Sequence, residues 1–285
     1  MATLAVQPAA AGSLAIESTG HPVVPVTVNG AGPFDFVVDT CASISMVLAG
    51  LRERLGLQPL ANTQGALHGA SGNGSVSLYR LDSMVVDSRA SGPVTAAGMD
   101  GGPSEHAPGW SGIVGADILS RYVVEFDGPG AAFHLHDSAT DLAARGGWIR
   151  ISVQLNQVRF PTLQGTIDGT PVQILFDTGA RRTLINWAAA RQLGVAPGDP
   201  SLSASEPVRG ATAQRTDAVK RTFGSITIGG LTIPAGEVVI ADLPVFGTLG
   251  WSGPALILGM DRMRAYRFAV DYPRSRLLVA QATAR

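Results

Sequence analysis

The chain of 285 residues has one cysteine, Cys41, and one lysine, Lys220. A single cysteine excludes an intrachain disulfide framework and any metal site built on several thiolates, and it leaves the redox compartment open. Charge is sparse at 15% of residues, with a net charge of -1, so the sequence carries neither the basic footprint of a nucleic-acid binder nor an acidic tail. Long apolar runs are missing too. None approaches the roughly 18 residues that cross a bilayer as a helix, so no membrane span is expected. The first residues, "MATLAVQPAAAGS", lack the basic and apolar regions of an intact signal peptide. A periplasmic or secreted location is expected if such a signal has been removed. Arginine supplies the other twenty basic residues, which with the alanine and glycine load suggests a bacterial gene.

What the chain does have, at 45% hydrophobic residues, is ample material for a core and a pattern written twice. "FVVDTCASISMV" (36–47) returns as "ILFDTGARRTLI" (174–185), placing Asp39 and Asp177 138 positions apart. Helix-like segments follow each, at 48–57 and 186–195. "LHGASGNGS" (67–75) matches "VRGATAQRT" (208–216), and "SGIVGADILSRYVVEFD" (111–127) matches "PALILGMDRMRAYRFAVD" (254–271). Gly115 to Gly259 and Asp127 to Asp271 are both 144 apart. Turns at Asn29-Gly30 and Asp168-Gly169 read as hairpins, and short strands with turn punctuation fill most of the rest. The expected fold is mainly β: two pseudo-symmetric barrel-like lobes of six strands or so with short helices, residues 1–145 and 146–285, with the seam at Gly146-Gly147.

One acid after a strand is an ordinary turn former. A duplicated acid differs, because pseudo-twofold symmetry can set Asp39 and Asp177 face to face. Two carboxylates about 3 Å apart would repel by about 5 kcal/mol at an effective dielectric of about 20, so one keeps a proton. Such a pair can act as base and acid together on a water and a carbonyl, without a metal, cofactor or nucleophilic side chain. Thr40 and Thr178 can lock the loops by hydrogen bonds, and the small residues after them let backbone N–H groups reach the carboxylates.

Apolar-apolar-Asp-Thr with "IVG" (113–115), then Asp177-Thr178-Gly179-Ala180 with "LILG" (256–259), resembles the aspartic proteases, and over nearly the whole chain. The pattern is similar to a single-chain, two-lobed bacterial relative of the retropepsins. The resemblance implies Asp39 and Asp177 as the catalytic pair and an active-site loop of Thr40, Cys41, Ser43, Thr178, Gly179 and Arg181. It further implies close packing of strand on loop at Gly115 and Gly259, and flaps over a peptide or protein substrate at His68, Gly69 and Ala70 and at Arg209, Gly210 and Ala211. A monomer is expected, since both acids lie on one chain. Two positions depart from the family pattern: Cys41 stands where the family has glycine, and Arg181 stands opposite Ser43, whose hydroxyl usually supports the acid.

Blander readings stand beside these. The acids could be turn formers in a silent homologue that binds a peptide or another ligand, or a pair reused for other acid/base chemistry. Cys41 could be a small buried turn residue, or a nucleophile served by His68. Arg181 could tune the acids or simply be a solvated or salt-bridged surface residue. Asp117 and Asp261, at helix starts, read as caps. His134 and His136 lack a third metal ligand nearby.

Overall fold

The computed structural model describes residues 12–69, 72–98, 109–210 and 215–281, and for 62–69 and 72–74 the backbone alone. It is mainly β, with two curled half-barrel sheets, one built from Ala15 to Val114 and the other from Gln154 to Leu258. Each sheet holds ten strands, more than the six or so expected. The excess comes from short added hairpins such as Met84–Val86 with Arg89–Ser91, and Ile226–Ile228 with Leu231–Ile233. The hairpin turns form where glycine and asparagine or aspartate tolerate positive φ: Asn29 and Gly30 at 50° and 75°, Asp168 and Gly169 at 48° and 77°.

In both sheets the strand entering the acid is flanked by the later apolar strand of the repeat, in parallel. Ala31–Val38 pairs with Gly112–Val114, and Thr170–Phe176 with Ala255–Leu258. Two further residues, Met46–Val47 or Leu184–Ile185, then pair antiparallel with that inserted strand. The chain therefore turns back at each acid through a loop clamped between strands.

A third sheet, absent from the sequence reading, joins the halves. Its five strands run in the order 132–136, 123–127, 267–271, 276–280 and 148–152. The central pairing is antiparallel, with Glu125 opposite Ala269. Those two residues are 144 apart, the spacing of the repeat, so the pseudo-twofold axis passes between them. Phe126 stacks on Phe268 with ring centroids 4.8 Å apart, and Phe176 meets Phe268 edge to face at 5.4 Å, in a core common to both halves. Full burial of each such ring contributes about 1.5–3 kcal/mol. Glu125 is buried, so its charge needs partners. Arg267 Nε donates to it at 2.6 Å and His136 Nε2 lies at 2.7 Å.

Smaller apolar clusters occupy the opposite faces of the half-barrels. Val37, Met46, Trp110 and Ile113 form one, and Leu175, Leu184, Phe246 and Ile257 the other. No helix among the described residues is long and apolar enough to cross a membrane.

Candidate active site

The two acid loops are built alike. The backbone N–H of Asp39 donates to Val114 O at 3.1 Å, and that of Asp177 to Leu258 O at 3.1 Å. Each carboxylate takes N–H donors from its own turn: Cys41 N at 2.7 Å for Asp39, and Gly179 N at 2.8 Å and Ala180 N at 3.1 Å for Asp177. The threonines then tie one loop to the other. Thr40 N donates to Thr178 Oγ1 at 3.0 Å and Thr178 N to Thr40 Oγ1 at 3.1 Å. Their hydroxyls pass the chain on, Thr40 Oγ1 to Phe176 O at 2.8 Å and Thr178 Oγ1 to Val38 O at 2.7 Å. Both threonines are buried, so each bond satisfies a group that water cannot reach.

This cross-bonding holds the two acid loops together, close enough that each carboxyl bears on the other's titration. A Cβ placed on Gly179 would run into the Asp39 carboxyl, which shows how closely the second loop approaches the first acid. Burial raises Asp39 above the ordinary carboxylate range, partly offset by the Cys41 N–H. Burial, and then the neighbouring Asp39 charge, push Asp177 well above that range. The pair is thus suited to hold one proton between two oxygens where most carboxyls have lost theirs.

The aspartyl protease family model matches the chain twice, over residues 24–118 and 163–262. The chain belongs to the aspartyl protease family. Its two matched stretches are the two half-barrels, each contributing one Asp-Thr loop. Among curated proteins no match is found.

Within this aspartic-type protease, Gly115 and Gly259 occupy equivalent places. A Cβ at Gly115 would lie 2.7 Å from Ile44 C and 2.8 Å from Ala42 O; at Gly259 it would lie 2.7 Å from both Ala180 O and Arg182 C. The inserted strand passes that near the acid loop because nothing projects from it. Sequence reading missed the hydroxyls that hold the contact. Gly115 N donates to Ser45 Oγ at 3.1 Å, and Ser45 Oγ donates to Asp117 at 2.8 Å. In the second half Gly259 N donates to Thr183 Oγ1 at 3.2 Å, and Thr183 Oγ1 donates to Asp261 at 2.7 Å. Asp117 and Asp261 stand in the first turns of their short helices, as the cap reading has them, and their carboxylates in addition accept bonds from the acid-loop hydroxyls. The signal was present, since Ser45 and Thr183 are also 138 apart.

Ser43 is exposed, and its hydroxyl makes no bond to Asp39 among the described residues. Arg181 is exposed as well, paired with Glu206 at 3.2 Å, and Asp177 draws its donors from backbone N–H groups. Arg182 binds Ser205 Oγ at 3.1 Å. Cys41 is half-buried; its thiol donates to Phe176 O at 3.4 Å and is held protonated by burial and by the Asp177 and Asp39 charges. That state disfavours a nucleophile.

His68 and Gly69 end the strand Pro59–Gly69, which pairs with Gly72–Leu81 in a long hairpin. Arg209 pairs with Arg215 in a separate two-stranded sheet, and Gly210 follows it. Ala70 and Ala211 lie outside the described residues. His136 binds Glu125, and His134 Nδ1 is 3.9 Å from Asp87. Among the described residues no cluster of His, Cys, Asp and Glu has metal-site geometry.

Proposed function

We propose that the protein is an endopeptidase of retropepsin type in which Asp39 and Asp177 share one proton and activate water. The observation that supports the reading is the buried Thr40–Thr178 cross-bonding, which joins the two acid loops so closely that a Cβ on Gly179 would collide with the Asp39 carboxyl. One carboxylate takes a proton from the water as it attacks the scissile carbonyl. The other gives its proton to the carbonyl oxygen, and the tetrahedral intermediate collapses by protonation of the leaving amine. The two lobes are residues 1–145 and 146–285, and an extended peptide lies between them, bound by strand-like backbone hydrogen bonds. His68, Gly69 and Ala70, with Arg209, Gly210 and Ala211, form the flaps that cover it. Gly179, Thr40, Thr178, Gly115 and Gly259 keep the loops in register. The protein works as a monomer and takes a peptide rather than a nucleic acid.

The pH range follows from the pair. Activity needs one proton on two carboxyls, so it fails below the lower titration and above the upper one. Because both acids are raised, the working range extends from acidic toward neutral pH. A second reading, a homologue that binds peptides without cleaving them, draws on Cys41 occupying the glycine position.

Assaying mixed peptide substrates from about pH 3 to 8 separates these. The proposal expects cleavage that survives thiol alkylation in substrate-protected enzyme and vanishes in Asp39→Ala and Asp177→Ala. Peptide binding without cleavage at any pH establishes the second reading.

A further inference from the structure

The two candidate flap hairpins join their half-barrels differently. In the first half one arm, Gly72–Leu81, runs unbroken into the sheet: it pairs with the other arm from Gly69 to Gln64 and, from Ser77 onward, with Val94–Gly98. The opposite arm slips register between Pro59 and Gln64, but the unbroken one makes the hairpin a continuation of the sheet. In the second half both arms break. Ser203 and Ala204 pair with Lys220 and Val219, while Val208 and Arg209 pair with Thr216 and Arg215 as a separate two-stranded sheet. Between the two ladders Ser205-Glu206-Pro207 on one arm stands against Asp217-Ala218 on the other.

Local chemistry accounts for the break. Pro207 has no N–H to donate, so the ladder cannot run on through it, and the odd residue shifts the pairing by one, as in a bulge. One backbone bond spans the gap, from Ser205 N–H to Ala218 O at 3.4 Å. Arg182, on the loop of Asp177, grips the same place. Its Nη1 donates to Ser205 Oγ at 3.1 Å and its Nη2 to Glu206 O at 3.3 Å, two bonds that the planar guanidinium fork makes at once. Arg181 adds an exposed pair with the Glu206 carboxylate at 3.2 Å. The backbone of Arg182 is itself fixed: a Cβ at Gly259 would lie 2.7 Å from Arg182 C, and Thr183 is bonded through its N–H and hydroxyl to Asp261. On the hairpin side, Val208 and Ala218 pack against the cluster of Leu175 and Leu184, which Ala180 also borders. The duplicate of Arg182 is Ile44, which packs against the cluster of Val37 and Met46 and has no donor to offer.

We propose that residues 205–207 and 217–218 form a hinge and that Arg182 is a positioning residue, which couples the hairpin of Val208–Arg209 and Arg215–Thr216 to the Asp177 loop. The inference rests on the flap reading above. With both guanidinium bonds made, the hairpin is held in one attitude to the acid loop; with them broken, it turns on the gap between the ladders. The substrate is therefore covered unequally, by a continuation of the sheet on one side and by a hinged arm on the other. Peptide entry falls to the second flap, because it can turn without opening a continuous ladder.

Hydrogen exchange of the backbone amides reads the hinge without any need for activity, with thermal unfolding to confirm that each variant folds. Arg182→Ala and Ser205→Ala should each speed exchange in 203–209 and 215–220 by about three- to tenfold, the effect of losing one or two hydrogen bonds. Exchange in the hairpin of Pro59–Gly69 and Gly72–Leu81 should not change. Ser205→Thr keeps the hydroxyl and should exchange as the wild type does. Unchanged exchange at the hinge in either alanine variant, Ser205→Thr as fast as Ser205→Ala, or equal acceleration throughout the second half-barrel overturns the proposal.

Peptide cleavage on the same samples separates the hinge from the catalytic reading. A flap held in place acts on substrate binding, so Arg182→Ala should raise KM by about three- to tenfold and leave kcat within about twofold. A KM that stays in place while exchange at the hinge quickens refutes the positioning role. A wild-type protein that cleaves nothing refutes the catalytic reading, and quickened exchange in its variants then leaves the hinge standing.

Discussion

The loops at 39–47 and 177–185 share a backbone and differ in what they hang on it. Both turn through an Asp-Thr pair, both donate backbone N–H groups to their own carboxylate, and both accept an inserted glycine through a hydroxyl, Ser45 in one and Thr183 in the other. They differ at Cys41 against Gly179 and at Ser43 against Arg181. The shared features lie where the loops touch each other or the inserted strand. Ser43 and Arg181 diverge because both face solvent. Cys41 against Gly179 is the exception, a difference at the contact itself, and there the two positions are not interchangeable.

The sharpest way to break the comparison is to make the second loop resemble the first. Gly179→Ala drives a methyl into the Asp39 carboxyl, and we predict a fall in kcat/KM of at least about a hundredfold, corresponding to about 2.7 kcal/mol of transition-state stabilisation. Next come Gly115→Ala and Gly259→Ala, which force a Cβ against backbone atoms in both halves. Each should lose about 2–4 kcal/mol in denaturant unfolding, and a much smaller loss in one half would show that the two contacts are not equivalent. Thr40→Val and Thr178→Val remove matching hydroxyls and strand buried partners. Losses of about 1–3 kcal/mol apiece are expected, with the double variant losing less than the sum because the bonds are reciprocal. Smallest is Arg181→Ala. Its exposed pair with Glu206 contributes under about 1 kcal/mol, and unchanged stability and pH profile would place Arg181 with the solvated differences.

The duplication made most of this legible. Offsets of 138 and 144 locate both acids, both threonines and both inserted glycines, because those positions are constrained by contact and so repeat. The joining sheet escaped the reading because its strands, such as 123–127 and 267–271, look like ordinary ends of each half; only pairing across the axis gives them their role. Asp117 and Asp261 were half legible for a related reason: an acid in the first turn of a helix has the local chemistry of a cap, while the hydroxyls it also binds, those of Ser45 and Thr183, lie more than seventy residues away.

The central claim is that one carboxyl from each half is required, and single Asp39→Asn and Asp177→Asn variants test it most directly. Asparagine keeps size and most hydrogen bonding while removing the titrating proton. In cleavage of one peptide across the wild-type pH range, the account predicts that each variant loses at least about a thousandfold in kcat while remaining folded. Cleavage retained at near wild-type rates by either variant would contradict it.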